Sequence, residues 1–138
     1  RKMSKSDENP NASVYLADDK DTIMRKFKRA VTDSDNRIVA SEDKPGVTNF
    51  LNIYASFKGC TVAEAEKAFE GKGYGDFKLA VGETVADALA PVQAEQKRLL
   101  ADKGYLADIL RRGAESAAYT ARKTLAKVFR KVGFYRGE

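Results

Sequence analysis

The chain has no histidine at all and a single cysteine, Cys60, among its 138 residues. Those two absences exclude much catalytic chemistry. No Cys–His pair can form, and neither can an internal disulfide framework or a multi-cysteine zinc site. Cys60 is expected to be a small, mostly buried hydrophobe in a reducing, cytoplasmic setting. No apolar run approaches the roughly 20 residues that a membrane span needs, so no membrane partner is expected. No secretory leader is visible. No stretch alternates apolar and polar residues as a half-buried strand would, and there is no repeat or low-complexity tract. Gly71, Gly73 and Gly75 are evenly spaced, but they follow a helical pattern and not a strand. They therefore predict a plain loop and not a dinucleotide fingerprint.

What is present describes a soluble helical protein. Hydrophobic residues make up 43% and charged residues 33% of the chain, enough for one domain with a real core. Residue 1 is Arg and not Met, so a fragment, a cleaved product or part of something longer is expected. The net charge of +5 is unevenly placed. Residues 97–138 carry 11 Lys/Arg against 4 Asp/Glu, a net of +7, while residues 1–96 carry 14 against 16, a net of −2. A basic terminal section beside a near-neutral body suggests a polyanion partner for that section.

Helical periodicity runs through most of the chain. Acids at Asp18, Asp19 and Asp21, apolar residues at Ile23, Phe27 and Ala30, and the bases Arg25, Lys26, Lys28 and Arg29 toward the end predict a helix over about 19–30, either an arm carrying the N-terminal loop or an ordinary surface helix with a charged face. Thr32 to Lys44 is polar and reads as a loop with one short apolar run at Ile38-Val39-Ala40. Asp33 and Asp35 fit a turn better than a metal pair, because no third acid stands at ligand spacing. Pro45-Gly46 opens a second helix with Val47, Phe50, Leu51, Tyr54 and Phe57 on one stripe, and Gly59 stops it. Thr61 and Glu64 have capping-box spacing for a short helix to about Phe69. A long pattern from Asp76 should kink or split near Pro91. Asp102-Lys103-Gly104 is the next break. A last helix is expected from about Tyr105 to Val132, with Leu106, Leu110, Ala114, Ala117, Ala121, Leu125, Val128 and Val132 on one side. The fold class is all-α, a helical bundle.

The most informative stretch is Lys2-Met3-Ser4-Lys5-Ser6, with the turn-forming Asp7-Glu8-Asn9-Pro10-Asn11 behind it. Two ammonium groups and two hydroxyls on a short loop suit polyphosphate oxygens, since lysine is a flexible point charge. This pentapeptide resembles the KMSKS loop of class I aminoacyl-tRNA synthetases. The longer run to Asn11, Val14-Tyr15-Leu16, Arg29-Ala30-Val31-Thr32-Asp33-Ser34-Asp35 and Pro45-Gly46-Val47-Thr48-Asn49-Phe50-Leu51 are similar to the bacterial-type tryptophanyl members of that family. The similarity reaches to Phe134.

The resemblance implies a loop at 1–17 that belongs to a Rossmann-type domain lying outside this sequence, then an anticodon-binding helical domain at 18–138. It implies that Lys2 and Lys5 are catalytic and that Lys2, Met3, Ser4, Lys5 and Ser6 contact ATP. Lys5 would be the charge that matters most in the transition state. ATP would be a substrate, with Mg2+ carried by the nucleotide, and no metal site belongs to this chain. Tryptophan would sit in the absent domain, which would also form a homodimer. The tRNA partner would meet Arg111, Arg112, Arg122, Lys123, Lys127 and Arg130 on the final helix. Charge alone leaves that face equally open to being merely solvated, and the resemblance decides for tRNA. Tyr119, Phe129 and Tyr135 are candidates for stacking on bases, with Phe129 closer to the core stripe. The alternative to a ligase is a free-standing helical RNA-binding module, and a protein–protein adaptor is the third class. By itself the chain is expected to be inactive as an enzyme.

Overall fold

A computed structural model describes residues 9–134. Five α-helices occupy them and no strand appears among the described residues: α1 (Lys20–Arg29), α2 (Pro45–Lys58), α3 (Val62–Ala68), α4 (Tyr74–Ala101) and α5 (Lys103–Val132). Two compact units divide between Ala94 and Glu95, so most of α4 belongs to the first and its last residues to the second.

The first unit holds the core. Its helices begin where local chemistry dictates. The Asp19 carboxylate accepts from the Thr22 amide at 2.8 Å and starts α1, whose last turn carries Lys26, Lys28 and Arg29 to complement the dipole. Pro45 occupies the first turn of α2, where its missing N–H costs nothing, and Gly59 ends the helix with a positive φ of 67°. Thr61 and Glu64 form the predicted capping box, each satisfying the other's backbone amide. Ile23, Phe27, Val47, Phe50, Leu51, Phe69, Phe77 and Val81 are buried together. Aromatic rings run through this core in contact: Phe27 on Phe50 at 5.0 Å, Phe50 on Phe77 at 6.0 Å, Phe77 on Phe69 at 4.8 Å and Phe69 on Tyr54 at 4.8 Å. Helix α4 presses close to α1 at Gly82, where an added Cβ would lie 3.2 Å from the Cβ of Phe27. Cys60 is half-buried against this core.

Three expectations change. Helix α4 continues through Pro91, so of the two outcomes expected there, a kink or a split, the split does not occur. The ring deprives the carbonyl of Asp87, an exposed residue, of its helical donor. Phe57 is exposed and not part of the α2 core stripe. The break before α5 is a single residue: Asp102 caps the helix by accepting from the Tyr105 amide at 2.9 Å, and Lys103 and Gly104 lie in its first turn.

The second unit consists of the end of α4 and α5. Helix α5 is amphipathic but none of its residues is buried. Leu110, Leu125, Val128 and Val132 are all exposed.

Candidate functional site

The predicted phosphate loop, Lys2, Met3, Ser4, Lys5 and Ser6, lies outside the described residues, as does Tyr135. The segment that joins this loop to the helical body is described from Asn9 onward. Asn9 turns the chain: its carbonyl accepts from the Ala12 amide at 3.0 Å and its side-chain oxygen from the Asn11 amide at 3.0 Å. Two side chains from the helices then grip the following residues. Lys26 of α1 donates to the Ser13 carbonyl at 2.7 Å and to Asp18 Oδ2 at 2.6 Å, with its ammonium 4.8 Å from the centre of the Tyr15 ring. Gln93 of α4 donates through Nε2 to the Leu16 carbonyl at 2.9 Å and the Asp18 carbonyl at 2.8 Å. Sequence reasoning placed Lys26 on a charged helix face. It stands three residues after Ile23, which puts it on the buried side, and that spacing was the available signal.

A second polar cluster ties the 33–44 loop to the start of α4. Lys44 is almost fully buried, and its ammonium donates to Asp33 at 3.2 Å, to Asp35 and to the Arg37 carbonyl at 3.3 Å. The Tyr74 hydroxyl donates to Asp33 Oδ1 at 2.5 Å and accepts from Lys44 at 3.3 Å. Burial and the bond to Asp33 push the Tyr74 phenol up to about 12. The Tyr74 hydroxyl holds the Asp33 carboxyl below its ordinary value, and the Lys44 ammonium does the same to Asp35. Burial opposes the Lys44 charge, but its bonds to Asp35, Tyr74 and Asp33 more than offset this and hold it above the usual lysine range. Asp33 and Asp35 thus serve a buried lysine. Among the described residues no group of three or more His, Cys, Asp or Glu could hold a metal. Beside this cluster, a cavity of about 660 Å³ opens between the loop and the α3–α4 turn, with Arg37, Lys67 and Lys72 set against Glu66 and Glu70.

On α5, at about 100° per residue, the six predicted tRNA-contacting bases fall within an arc of roughly 160°. The apolar residues Leu110 to Val132 occupy the opposite side. The bases are not equivalent. Arg111 is bonded to Asp108 at 2.6 Å and Glu115 at 2.9 Å, and Arg112 to Asp108 at 2.8 Å. Two guanidinium groups and two carboxylates leave that turn neutral. Beyond Glu115 the described part of the helix has no acid to offset Arg122, Lys123, Lys127 and Arg130. Lys123 lies 4.4 Å over the ring of Tyr119, which is 62% exposed. Phe129 packs edge-on to Phe134 at 6.0 Å.

Comparison with known proteins falls on this same chain. Residues 1–90 match the family described as tRNA synthetases class I (W and Y). A protein named tryptophan–tRNA ligase from Clostridium perfringens (strain 13 / Type A) is 46% identical over 133 residues, covering 96% of this chain and 40% of the relative. One of the same name from Bacillus anthracis is 44% identical over 137 residues, covering 99% of this chain and 41% of the relative. The crystal structure of tryptophanyl-tRNA synthetase from Mycoplasma pneumoniae is similar with a TM-score of 0.68 at 34% identity, over 96% of this chain and 41% of that one. The chain therefore spans about two-fifths of the length of the relatives it matches. No described helix is long and apolar enough to cross a membrane.

Proposed function

Because the chain belongs to the class I tRNA synthetases of the tryptophan and tyrosine group, we propose that it is the C-terminal part of a tryptophan–tRNA ligase. The observation that carries this reading is the 46% identity to such a ligase across nearly the whole chain. The complete protein activates tryptophan with ATP, carried with Mg2+, and passes the tryptophanyl group to tRNA. It acts as a homodimer in the cytoplasm, joined through a Rossmann-type domain outside this sequence.

Two parts of the activity fall to this chain, on either side of a boundary near residue 17. In the first, the loop holds the phosphates. Lys2 and Lys5 neutralise the oxygens of ATP as the tryptophan carboxylate attacks the α-phosphorus, the bond to the β-phosphate oxygen breaks and pyrophosphate leaves. Ser4 and Ser6 hydrogen-bond phosphate oxygens, and Met3 anchors the loop on apolar surface. Catalysis of this kind is positioning plus stabilisation of developing charge. In the second, the helical section binds tRNA. Arg122, Lys123, Lys127 and Arg130 supply the net charge, and Arg111 and Arg112 join once phosphate competes with Asp108 and Glu115. The exposed Tyr119 is available to stack on an unpaired base.

The test is ATP-dependent attachment of tryptophan to tRNA by the intact polypeptide, beside the same polypeptide truncated before residue 1. Charging by the intact form alone is expected. Charging that survives the truncation, or an intact polypeptide that binds tRNA without charging it, would overturn the reading in favour of a helical RNA-binding module.

A further inference from the structure

Residues 13–18 connect the phosphate loop to the helices, and little holds them by packing. Val14, Tyr15 and Leu16 are exposed, Leu16 by 64%. Three backbone carbonyls in this segment, those of Ser13, Leu16 and Asp18, are instead gripped by two side chains from distant points in the fold. One of the two is unusual. The Lys26 side chain is only 7% exposed, and an ammonium removed from water is costly unless its donors are used. A methionine at the same place on α1 would fill the space without that cost. The lysine directs its charge at the Ser13 carbonyl and the Asp18 carboxylate, and Asp18 Oδ2 in turn accepts from the Tyr15 amide at 2.9 Å. Apart from the Asp18 carboxylate, the grip is on backbone carbonyls, so it sets where the chain runs. Gln93 grips the same segment from α4, so the two side chains fix it to two helices at once.

We propose that Lys26 and Gln93 are positioning residues for adenylate formation: by fixing the backbone of residues 13–18 they set the placement of the loop whose lysines hold the ATP phosphates. This rests on the phosphate-loop reading above. Ser13 is eight residues after Lys5 in the chain, so the path of the backbone at 13–18 limits where the Lys5 ammonium can be delivered. A misplacement of about 1 Å in a catalytic group can cost on the order of 10²-fold in rate.

The experiment uses the intact polypeptide with Lys26→Met, Lys26→Arg and Gln93→Leu, each in the parent and in a Lys5→Ala background. It reads single-turnover tryptophanyl-adenylate formation, the KM for tryptophan and the affinity for tRNA. Lys26→Met and Gln93→Leu are expected to slow adenylate formation about tenfold or more while the other two quantities stay within twofold. Lys26→Arg should recover most of the rate. In the Lys5→Ala background the same substitutions should cost little further, because they act through the loop. Gln93→Leu removes hydrogen bonds without burying or orphaning a charge, and it decides the matter if Lys26→Met does not fold. Parent-like rates in Gln93→Leu, or equal losses with and without the Lys5 side chain, would overturn the proposal. A Lys5→Ala variant with the parent rate would overturn the phosphate-loop reading instead.

Discussion

Replacing Arg122, Lys123 and Lys127 of α5 together by Gln should change how tRNA binding responds to salt. Each lysine or arginine that neutralises a phosphate releases counterions, and for single-stranded segments the log–log slope of affinity against salt steepens by about 0.7 per phosphate neutralised. Removing all three charges should flatten the line by about two. Over a fourfold rise in salt, the parent should therefore lose on the order of 16-fold more affinity than the variant. The structure explains why these three are chosen. They stand beyond Glu115, where the described helix has no acid. Arg111, by contrast, is already shared between Asp108 and Glu115, so Arg111→Gln alone should flatten the line by less than any one of the three. All four side chains are exposed and glutamine is a good helix former, so the fold should be unaffected. The assay is tRNA affinity across a salt series for parent, triple variant and Arg111→Gln. Adenylate formation by the triple variant should be unchanged. Parallel lines of equal affinity for parent and triple variant would refute the reasoning and mark this face as merely solvated.

Three further outcomes are expected. Phe77 is 0% exposed and touches both Phe50 and Phe69, so Phe77→Ala should cost about 3–5 kcal/mol in denaturant unfolding, and a loss under about 1 kcal/mol would contradict the core described here. Asp33 and Asp35 have folded pKa values below the roughly 3.9 of a free aspartate. Their stabilising contribution is therefore present above about pH 4 and lost as pH falls through the depressed folded values. A Lys44→Met variant should melt at lower temperature and show a weaker dependence of melting on pH below about 4; an unchanged acid limb would show that the pairing is not the cause. Finally, the 138-residue chain alone should not support tryptophan-dependent exchange of pyrophosphate into ATP, and robust exchange would contradict the division of labour proposed.

Much of the fold could be read from local signals. Asp19, Pro45, Gly59 and the Thr61–Glu64 pair mark helix ends by chemistry that acts within four residues, and the structure places helix boundaries at each. That α4 would not split was not legible, because an interior proline can either kink a helix or end it and the local sequence does not decide which. Nor was the fate of the α5 apolar stripe: periodicity reports a face, and not whether anything covers it. The polar interactions were the least legible. Lys44 meets Tyr74 across 30 positions, and Gln93 meets Leu16 across 77, so no window of sequence contains both partners. Spacing alone could have flagged Lys26, since it follows Ile23 by three on a buried stripe. For the basic face, sequence supplied the residues but not their inequality, which comes from Asp108 pairing with Arg111 and Arg112 and from Glu115 pairing with Arg111.

The central claim is that this chain carries the phosphate-holding loop of a ligase, with Lys5 as its principal charge. Lys5→Ala in the intact polypeptide, followed by single-turnover formation of tryptophanyl-adenylate and by thermal melting, tests it most directly. Removing one donor aimed at developing charge should slow the step by about 10²–10³-fold, with the melting temperature almost unchanged, as for an ordinary surface substitution. A rate within a few-fold of the parent would contradict the account and leave Lys5 as plain surface charge.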